Sequence, residues 1–324
     1  MTDTGPLFVS SGDLVADRRY KWALDHAARG DFAGAADILA QTVELAPRFA
    51  TAWFALGAIR DRLGERAAAI AAFDNARRLD PDDYHGARLQ LVRLGAGEGA
   101  PAMTAAYVRR LFDQYAERYD NALLEHLRYR APALLRDAVE QVVHAAGREM
   151  RFGAMLDLGC GTGLAGVAFR PFVEHLVGID LSPAMITQAS AKAIYDRLEA
   201  ADIADALDQE AARHAAYQLV VAADVFVYLN DLVPVVARVA RVLVPDGIFA
   251  FTVETHAGDG VKLLPTLRYA HGEDYVRNVL HNAALTVALR ERESVRSEKD
   301  VPVDSLVVVA QPSTARRAAA RSSL

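Results

Sequence analysis

The chain has 324 residues and a formal net charge of -6, and 52% of its residues are hydrophobic. This length exceeds what one hydrophobic core usually spans, and the apolar fraction is too high for a disordered chain, so we expect a globular protein of two domains. The negative charge disfavours nucleic acid as a partner, the single Cys160 excludes an internal disulfide and a multi-cysteine metal site, and no apolar run reaches the length of a membrane span.

The two ends of the chain carry no predicted element. Residues 1–15 lack the basic flank and apolar block of a signal peptide, and residues 313–324 form a basic tail, so we expect both ends to be disordered. A cytoplasmic location follows by default. We expect no metal, and neither a membrane nor a nucleic acid among the partners.

Residues 16–95 contain an internal repeat. Gly30 and Gly64, like Pro47 and Pro81, are 34 residues apart, which is the period of tetratricopeptide units. The second unit is the better copy, with matching residues at Trp53, Leu56, Gly57, Gly64, Ala69, Phe73, Ala76 and Pro81. This part resembles a small all-α tetratricopeptide-like domain; the alternative is an ordinary helical bundle with a chance period.

The repeats predict contact and not chemistry. Two units are fewer than the three that usually give independent stability, although the stretch YHGARLQLVRLG predicts one more helix that would cap the stack. We therefore expect the helical domain to pack against a neighbour or a second chain. Its role would be self-association, as in a homodimer, or the docking of a protein partner.

A linker at residues 96–102, around the glycine-rich run GAGEGAP at 95–101, precedes a second domain at residues 103–312. Two helical patterns begin this domain, and the first carries Phe112, Tyr115 and Tyr119 at helical spacing. These rings fit a lid that closes over a cofactor. The alternative is a helix face that is buried whatever the ligand.

From Phe152 onward, β-rich runs alternate with helical ones: AMLDLG, HLVGID, LEAAD, YQLVVAADV and GIFAFTVE. This order is typical of a parallel sheet with helices on both faces. The last two runs, LTVALRERES and SLVVVAQ, are joined by a polar turn and predict an antiparallel hairpin at the end of the sheet. We predict an α/β domain with a Rossmann-like, seven-stranded, mostly parallel sheet.

The turn LDLGCGTGLAG admits two interpretations. From Gly161 it reads G-T-G-L-A-G, the fingerprint of a dinucleotide-binding turn, which offers amide hydrogens to a pyrophosphate. From Asp157 it reads D-L-G-C-G-T-G, and a carboxylate there opposes a pyrophosphate but attracts the positive groups of S-adenosylmethionine. Asp180 ends the next strand, where it suits ribose hydroxyls in both cases. Gly166 fits the fingerprint, but helix packing explains it equally well.

Two later segments favour S-adenosylmethionine. Asp202 and Ile203 follow the third strand and suit an adenine amino group and ring face, and Ala223 and Asp224 end the next strand at the edge where open α/β sheets bind ligands. The motifs DLGCGTG, GIDLSPAM, YDRLEAADI, AADVFVYL and VPDGIFAFTVE together resemble the class I S-adenosylmethionine-dependent methyltransferases over residues 95–312. With its repeats, the chain is similar to bacterial predicted methyltransferases that carry tetratricopeptide repeats.

The resemblance implies S-adenosyl-L-methionine as the cofactor, with S-adenosyl-L-homocysteine as its product. Asp157 and the glycines would meet the methionine part, and Asp180 the ribose. Leu181 and Met185 would form a wall beside the adenine, and Ala223 with Asp224 the wall beside the reactive methyl. Cys160 reads as a small filler residue in the turn. The implied cofactor residues are Asp157, Gly159, Cys160, Gly161, Gly163, Asp180, Leu181, Met185, Asp202, Ile203, Ala223, Asp224, Tyr115 and Tyr119.

Residues that handle protons would lie beyond the carboxyl ends of the strands or in the insert between the fifth and sixth strands. The catalytic candidates are Tyr228, His256 and His271, for an acceptor that must lose a proton, such as a phenol or an alcohol. For the two histidines the alternative is a surface or helix-capping role. Glu254 fits a residue that lines or caps the site.

The sequence thus predicts an S-adenosylmethionine-dependent methyltransferase that transfers a methyl group to an unidentified small molecule. Two alternatives remain open: a non-catalytic S-adenosylmethionine-binding adaptor that acts through its repeats, and a protein methyltransferase. A nicotinamide oxidoreductase would have to tolerate Asp157 and would leave AADVFVYL unexplained.

Overall fold

The computed structural model describes residues 8–97, 103–121, 128–298, 300–314 and 316. The chain divides into two compact units, Met1–Arg110 with Pro265–Leu267, and Leu111–Leu264 with Arg268–Leu324. No helix in these described ranges combines the length and hydropathy that crossing a membrane requires. Most of the segments predicted to be disordered or to form the linker lie outside the described residues: 1–7, 98–102, 315 and 317–324.

The helical unit contains two helix pairs followed by a short helix. Its helices are α1 (Leu14–Ala28), α2 (Phe32–Leu45), α3 (Ala50–Arg62), α4 (Arg66–Leu79) and α5 (Ala87–Arg93). Gly30 and Gly64 occupy the corresponding turns and share a left-handed backbone, with φ of 83° and 78°. Because that conformation favours glycine, the 34-residue offset reflects a repeated structure.

Two observations refine the predicted boundaries of this unit. The Asp13 side chain accepts hydrogen bonds from the amides of Val15 (2.7 Å) and Ala16 (3.0 Å), so α1 begins inside the stretch predicted to be disordered. Within the second repeat, a Cβ at Gly57 would come within 2.7 Å of the fully buried Phe73 ring. The small residue therefore permits the close packing of α3 on α4.

The helical unit extends beyond the predicted linker into helix α6 (Ala105–Tyr115). The Arg110 guanidinium lies 3.8 Å from the centroid of the Tyr84 ring. The Tyr107 ring packs on the Gly86 backbone, because a Cβ added at Gly86 would come within 2.7 Å of this ring. These contacts hold the first half of α6 on the helical unit, so the units divide after Arg110.

The sheet unit contains nine strands among the described residues. They are β1 (Phe152–Leu158), β2 (Val173–Asp180), β3 (Arg197–Ala200), β4 (Tyr217–Ala222), β5 (Leu243–His256), β6 (Val261–Leu263), β7 (Tyr269–Gly272), β8 (Leu285–Glu298) and β9 (Val301–Pro312). The helices are α7 (Tyr119–Asn121), α8 (Ala131–Ala145), α9 (Leu164–Phe169), α10 (Pro183–Ala191), α11 (Ile203–Ala212), α12 (Val233–Val242) and α13 (Glu273–Asn282).

The order β3-β2-β1-β4-β5 is parallel throughout, β9 pairs antiparallel with β5, and β8 pairs antiparallel with β9. The predicted Rossmann-like sheet and its terminal hairpin are therefore confirmed. The seven-strand count is a correction: β7 adds a parallel pairing at the end of β5, and β6 pairs antiparallel with β7. Each of these two strands has only three or four residues, too few for a period of two to show in the sequence.

Alternate residues of the strands supply two hydrophobic clusters, one on each face of the sheet. One cluster joins Leu156 and Phe249 to α12 and α13, and the other joins Met155 and Ile248 to α8 and α9. Neighbouring residues of β1 and of β5 thus belong to opposite clusters. The carboxyl ends of the parallel strands emerge between these helical layers, which is where the predicted site residues lie.

Candidate functional site

The glycine turn lies between β1 and α9, and its backbone is bound to the end of β2. The Cys160 amide donates to the Ile179 carbonyl (2.9 Å), and the Gly161 amide donates to Asp180 Oδ2 (2.8 Å). Gly159 has a left-handed φ of 62°, and a Cβ there would come within 2.6 Å of a side chain that follows β4. Backbone conformation and close approach together require glycine at this position.

Asp157 lies on β1 just before this turn and is 1% exposed. Its Oδ2 accepts a hydrogen bond from the Tyr195 hydroxyl (2.7 Å), whereas its Oδ1 has no hydrogen-bond partner among the described residues. Burial raises the pKa of Asp157 to about 7, although the Tyr195 hydrogen bond lowers it, and the neighbouring Asp180 raises it further. A buried carboxylate with an unpaired oxygen is costly unless another group compensates it.

Three glycines make room for the Tyr195 ring that reaches Asp157. A Cβ at Gly163, Gly166 or Gly178 would come within 2.9, 2.3 or 2.7 Å of Tyr195. Gly166 is the third glycine of the apparent dinucleotide fingerprint. The close approach of the tyrosine hydroxyl explains why this position is glycine, so no bound pyrophosphate is needed to explain it. The sequence analysis missed Tyr195. The available signal was Gly178, because a glycine inside a buried strand marks a close approach.

Asp180 ends β2 and binds backbone amides with both carboxylate oxygens. Oδ2 accepts from Gly161 and Oδ1 from Ser182, each at 2.8 Å. Burial raises the pKa of Asp180, these two hydrogen bonds lower it, and the nearby Asp113 raises it. Each oxygen keeps a second lone pair. Asp180 can therefore accept from a ligand hydroxyl while it joins the glycine turn to the start of α10.

The four residues predicted around the adenine lie at the starts of α10 and α11. Leu181 and Ile203 are half-buried, whereas Met185 is fully buried and packs inside the protein, so it does not form an exposed wall. Asp202 is the N-cap of α11, and its Oδ1 accepts from the Ala204 amide (2.8 Å).

An aromatic cluster lies beside the glycine turn. The Phe112 ring meets Tyr119 and Tyr228 edge to face, with centroids 6.0 and 5.1 Å apart. The Tyr119 ring lies 3.9 Å from the position that a Cβ at Gly161 would take. Tyr115, on the same helix, is half-buried and does not line the cavity described below. The structure brings two of the three predicted lid rings together with Tyr228.

Two acids of residues 112–121, which we call the lid segment, bind the same edge. Asp113 accepts from the Ser182 hydroxyl (2.5 Å). Asp120 accepts from the Thr162 hydroxyl and pairs with Lys192 Nζ (2.7 Å), which also donates to the Thr162 carbonyl (2.6 Å). These bonds fasten the lid segment to the glycine turn and to α10. Lys192 was not identified from the sequence.

Asp224 follows β4 in an unusual backbone conformation. Its φ of 60° is left-handed, which is uncommon for a residue other than glycine. Its amide donates to the Thr252 hydroxyl (2.8 Å), and both carboxylate oxygens are bound by Arg296 of β8. Ala223, directly before it, is half-buried. The wall predicted beside the reactive methyl is therefore held by a buried arginine.

Arg296 is 2% exposed and belongs to a buried ion cluster of two arginines and three carboxylates. It pairs with Glu254 and with Glu298 (3.2 Å), and Arg268 pairs with Glu254 (2.6 Å) and Glu298. The cluster comprises Asp224, Glu254, Arg268, Arg296 and Glu298. Neither arginine was predicted from the sequence. For Arg296 the reason is the charge pattern of LRERESVRSE, which is typical of a solvent-facing strand.

Two of the catalytic candidates lie near strand ends: Tyr228 follows β4, and His256 is the last residue of β5. Burial raises the pKa of Tyr228 to about 12, while Arg268 lowers it, so the hydroxyl keeps its proton at neutral pH. His256 Nδ1 accepts from the Gly258 amide (3.1 Å), and its Nε2 lies 3.3 Å from the Gly260 carbonyl. Both ring nitrogens of His256 are therefore engaged within its own loop.

His271 lies in β7 and is completely buried. Its Nε2 donates to the Leu229 carbonyl (2.9 Å), and its ring stacks on Tyr275 with centroids 5.8 Å apart. Burial lowers the pKa of His271 to about 4, against the raising effect of the Leu229 hydrogen bond, so the ring is neutral at pH 7. His271 therefore binds the loop after β4 through Nε2, while its Nδ1 has no hydrogen-bond partner among the described residues.

A cavity of about 30 Å³ joins these features into one site. Its lining residues are Tyr119, Tyr129, Asp157, Gly159, Cys160, Gly161, Thr162, Leu164, Ala165 and Ala223. Burial raises the pKa of the Cys160 thiol well above its usual range, which fits a filler residue and not a nucleophile. Ligand pockets usually exceed about 300 Å³. The cavity is small because the rings of Tyr119 and Tyr129 line it.

Comparison with known proteins finds a matching family model within each of the two units. A methyltransferase domain model matches residues 156–251, and a tetratricopeptide repeat model matches residues 50–83. The sheet unit has the fold of the magnesium protoporphyrin IX methyltransferase of Synechocystis PCC 6803, solved with bound SAH, at a TM-score of 0.51 and 17% identity over 64% of this chain and 99% of that chain. Residues 156–251 thus match a methyltransferase domain, and residues 50–83 match a tetratricopeptide repeat.

A human relative supports the same assignment. Methyltransferase-like protein 27 of Homo sapiens is 36% identical over 107 residues, which is 33% of this chain. The match spans 41% of the length of that relative.

The segment that matches the methyltransferase domain contains the glycine turn but only one member of the buried ion cluster. Residues 156–251 include the glycine turn, Asp180, Asp202 and Asp224. The other four members of the buried ion cluster follow that segment, on or beside the strands that end the sheet. The positions that contact Asp224 from these strands are therefore features of this chain that the family model does not describe.

Proposed function

We propose that this chain is an S-adenosylmethionine-dependent methyltransferase that acts on a small-molecule acceptor. The observation that carries the proposal is Asp157 Oδ1, an unpaired carboxylate oxygen of a buried residue that lines the cavity beside the glycine turn. An ammonium group compensates such an oxygen, whereas the pyrophosphate of a dinucleotide is repelled by it.

The residues around the cavity fit the other parts of S-adenosylmethionine as well. The turn at Gly159 and Gly161 brings backbone close to the methionine part, and Asp180 has lone pairs left for ribose hydroxyls. Asp202 and Ile203 lie at the next strand end, where an adenine would rest. The solved methyltransferase with the same fold holds SAH, which supports this placement.

Bound S-adenosylmethionine supplies a methyl carbon that the adjacent sulfonium has already activated for displacement. The chain itself has to align the acceptor and exclude water, and alignment alone can contribute on the order of 7 to 11 kcal/mol. Phe112 and Tyr228 offer ring faces beside the loop that follows β4. The protonated Tyr228 hydroxyl is a hydrogen-bond donor that can orient an acceptor atom.

The acceptor side favours an atom that is already nucleophilic. Asp224 and Glu254 are ion-paired with the two buried arginines. His271 donates from Nε2 to Leu229, and its Nδ1 has no hydrogen-bond partner among the described residues, but the ring is completely buried. The two carboxylates are therefore engaged, and the His271 ring is not exposed to an acceptor. A thioether or a neutral amine needs no base before methyl transfer, whereas an alcohol does. We accordingly propose an acceptor of the first kind.

Cofactor binding requires the lid segment to move. The cavity of about 30 Å³ is roughly a tenth of the smallest usual ligand pocket, and the Tyr119 ring is one of its walls. The bonds of Asp120 to Thr162 and Lys192 keep this segment on the turn. Outward movement of Tyr119 and Tyr129 would open the site, and their return would exclude water.

The repeats would serve self-association or the docking of a partner. Val15 and Trp22 lie two turns apart on α1 and are 56% and 55% exposed, which leaves apolar surface for contact. Sedimentation velocity of the wild type and of V15S/W22S tests this role. Self-association that disappears in the variant supports it, and a monomeric wild type leaves docking of another protein as the function of this surface.

Calorimetry with S-adenosylmethionine, S-adenosylhomocysteine and NAD tests the cofactor. We expect the first two to bind and NAD to fail, and we expect D180A to weaken binding by about tenfold or more because a hydrogen-bonded charged group is lost. Binding of NAD in preference to S-adenosylmethionine would overturn the proposal.

Transfer of labelled methyl groups separates the catalytic alternatives. The protein is incubated with methyl-labelled S-adenosylmethionine and a cell extract divided by size. Label in the small-molecule fraction supports the proposal, and label in the protein fraction indicates a protein methyltransferase. Cofactor binding without label in either fraction indicates the adaptor.

A further inference from the structure

We propose that Tyr195 is a positioning residue, which orients Asp157 and keeps it ionised so that it binds the ammonium group of the cofactor. This inference rests on the proposed function, because it assigns a partner to the cofactor-binding acid. Tyr195 lies 38 residues from Asp157 along the chain and precedes β3. Nothing in the D-L-G-C-G-T-G motif specifies a tyrosine at that distance.

The hydrogen bond determines which oxygen of Asp157 is available to a ligand. The Tyr195 hydroxyl donates to Oδ2 at 2.7 Å, and Oδ1 is left without a partner among the described residues. Because Asp157 lines the cavity, the unpaired oxygen is the one left for a ligand that enters. Without the Tyr195 hydroxyl, no donor on the Oδ2 side would fix the rotation of the Asp157 carboxylate about χ2.

The surrounding backbone is shaped around this hydroxyl. A Cβ at Gly166 would lie 2.3 Å from Tyr195 Oη, and Cβ atoms at Gly163 and Gly178 would lie 2.9 and 2.7 Å from ring carbons. Three separate positions, on the turn, on α9 and on β2, thus lack side chains where the tyrosine passes. Burial also raises the pKa of Tyr195 far above its usual value, so the hydroxyl remains a donor.

The other titratable groups near Asp157 do not favour its ionised form. They are Asp180 at the end of β2, Cys160 in the turn, and Tyr119 and Tyr129 in the cavity wall. None of these is a cation at neutral pH. The Tyr195 hydroxyl, together with the backbone of Gly166, is what lowers the pKa of the buried Asp157 toward the neutral range. Loss of the hydroxyl would therefore raise that pKa further.

The test measures the affinity for S-adenosylhomocysteine from pH 5.5 to 8.5 in the wild type and in Y195F. Phenylalanine keeps the ring in its glycine cradle and removes only the donor. We expect Y195F to bind about tenfold more weakly at pH 7, and the pH of half-maximal affinity to move up by about one unit. The loss should shrink toward pH 8.5, where Asp157 ionises in both proteins.

A ligand without an ammonium group isolates the effect. Methylthioadenosine keeps the adenosine and lacks the amino-acid end, so its affinity should be equal in the wild type and in Y195F at every pH. The matched control is Y217F, because Tyr217 also donates from a buried hydroxyl to a carboxylate, Glu210 (2.5 Å), away from the cavity. Y217F should keep the wild-type pH profile.

A second variant displaces the hydroxyl without removing it. G166A places a methyl group against Tyr195 Oη in a helix that tolerates alanine, and it should shift the pH profile in the same direction as Y195F. Superimposable profiles of the wild type and Y195F, or an equal loss for methylthioadenosine, would overturn the inference. Failure of the wild type to bind S-adenosylhomocysteine at all would instead contradict the proposed function.

Discussion

Two pairs of acids lie at the same edge of the sheet and have opposite surroundings. Asp157 and Asp180 border the glycine turn, and neither forms an ion pair within the described part of the chain. Asp224 and Glu254 lie across the site and are bound by Arg296, with Arg268 as a further partner of Glu254.

The contrast separates acids that can bind a ligand from acids that stabilise the fold. An acid that is buried without a counter-ion destabilises the folded protein but is available to a cationic ligand, which is a pattern found at functional sites. An acid that is buried against an arginine has its charge compensated and fixes the strands that carry it. Both pairs are acidic in the sequence. We nevertheless expect opposite effects on stability from breaking the ion pairs of one and from removing the charge of the other.

The largest expected effect comes from breaking the ion pairs of Asp224 and Glu254. R296M leaves the carboxylates of Asp224 and Glu254 buried with one cation fewer, and we expect the sheet unit to lose about 3 to 5 kcal/mol of stability. Urea unfolding followed by far-UV circular dichroism measures this loss. Tryptophan fluorescence reports the helical unit, because Trp22 and Trp53 are the two tryptophans of the chain.

The control for that prediction lies on the same strand. Arg292 pairs with Asp304 (3.0 Å) on the exposed side of β8 and is 51% exposed, so R292M should cost less than about 1 kcal/mol. Equal losses in R296M and R292M would show that burial of the ion cluster contributes nothing special.

The next effect is a gain in stability and concerns Asp157, which has no counter-ion among the described residues. The folded pKa of Asp157, about 7, lies above the value of 3.8 for an unperturbed aspartate, so the stability that the protonated form provides is lost between about pH 4 and pH 7. D157N removes this loss, and we expect the ligand-free variant to be about 4 kcal/mol more stable than the wild type at pH 8.

Thermal unfolding at pH 4 and pH 8 measures the gain, which should be present only at the higher pH. The same variant should bind S-adenosylhomocysteine at least tenfold more weakly, because the neutral amide no longer attracts an ammonium group. A variant that is no more stable at pH 8 than at pH 4, relative to the wild type, would contradict the view that Asp157 is an unpaired charge.

A smaller effect is expected at a buried base that we place outside cofactor binding. The pKa of His271 is about 4 in the folded protein and 6.5 when unperturbed, so the wild type should lose stability as the pH falls from 6.5 toward 4. H271Q keeps a donor for the Leu229 carbonyl and removes the titration. At pH 5 the pH-dependent loss should be about 2 kcal/mol smaller in H271Q than in the wild type. Identical acid titration of both proteins would argue against a neutral buried ring.

The smallest effect concerns the ring that covers the unpaired acids. Tyr119 lines the cavity and Tyr115 does not, so Y119A should weaken binding of S-adenosylhomocysteine by about tenfold, or 1.4 kcal/mol, and Y115A should change it little. Calorimetry measures both, and thermal unfolding checks that the variants stay folded. A larger loss in Y115A would assign the lid to the other ring.

Periodicity allowed much of the fold to be predicted. Alternating β-rich and helical runs gave the parallel order from β3 to β5 and the final hairpin, because each element there is long enough for its period to appear. The same reasoning failed for β6 and β7, which are short, and for the start of α1, whose first turn depends on the cap at Asp13.

The candidate site was predictable where the residues lie in one motif. Asp157, the glycines and Asp180 follow from the turn and from the acid at the end of the next strand. The roles given to His256 and His271 depended on chain position alone, and the structure places both ring nitrogens of His256 and Nε2 of His271 against backbone groups of nearby loops. Sequence position placed these residues near the site but could not specify their hydrogen bonds.

The sequence by itself determined the repeat, the alternation of strands and helices, and the acids at the ends of the strands, because these are local patterns of spacing. Only the tertiary structure decided which acids are paired. The contacts of Tyr195 with Asp157 and of Arg296 with Asp224 join residues 38 and 72 positions apart. A buried charge depends on what the fold brings against it from distant strands, and no local pattern records that neighbour.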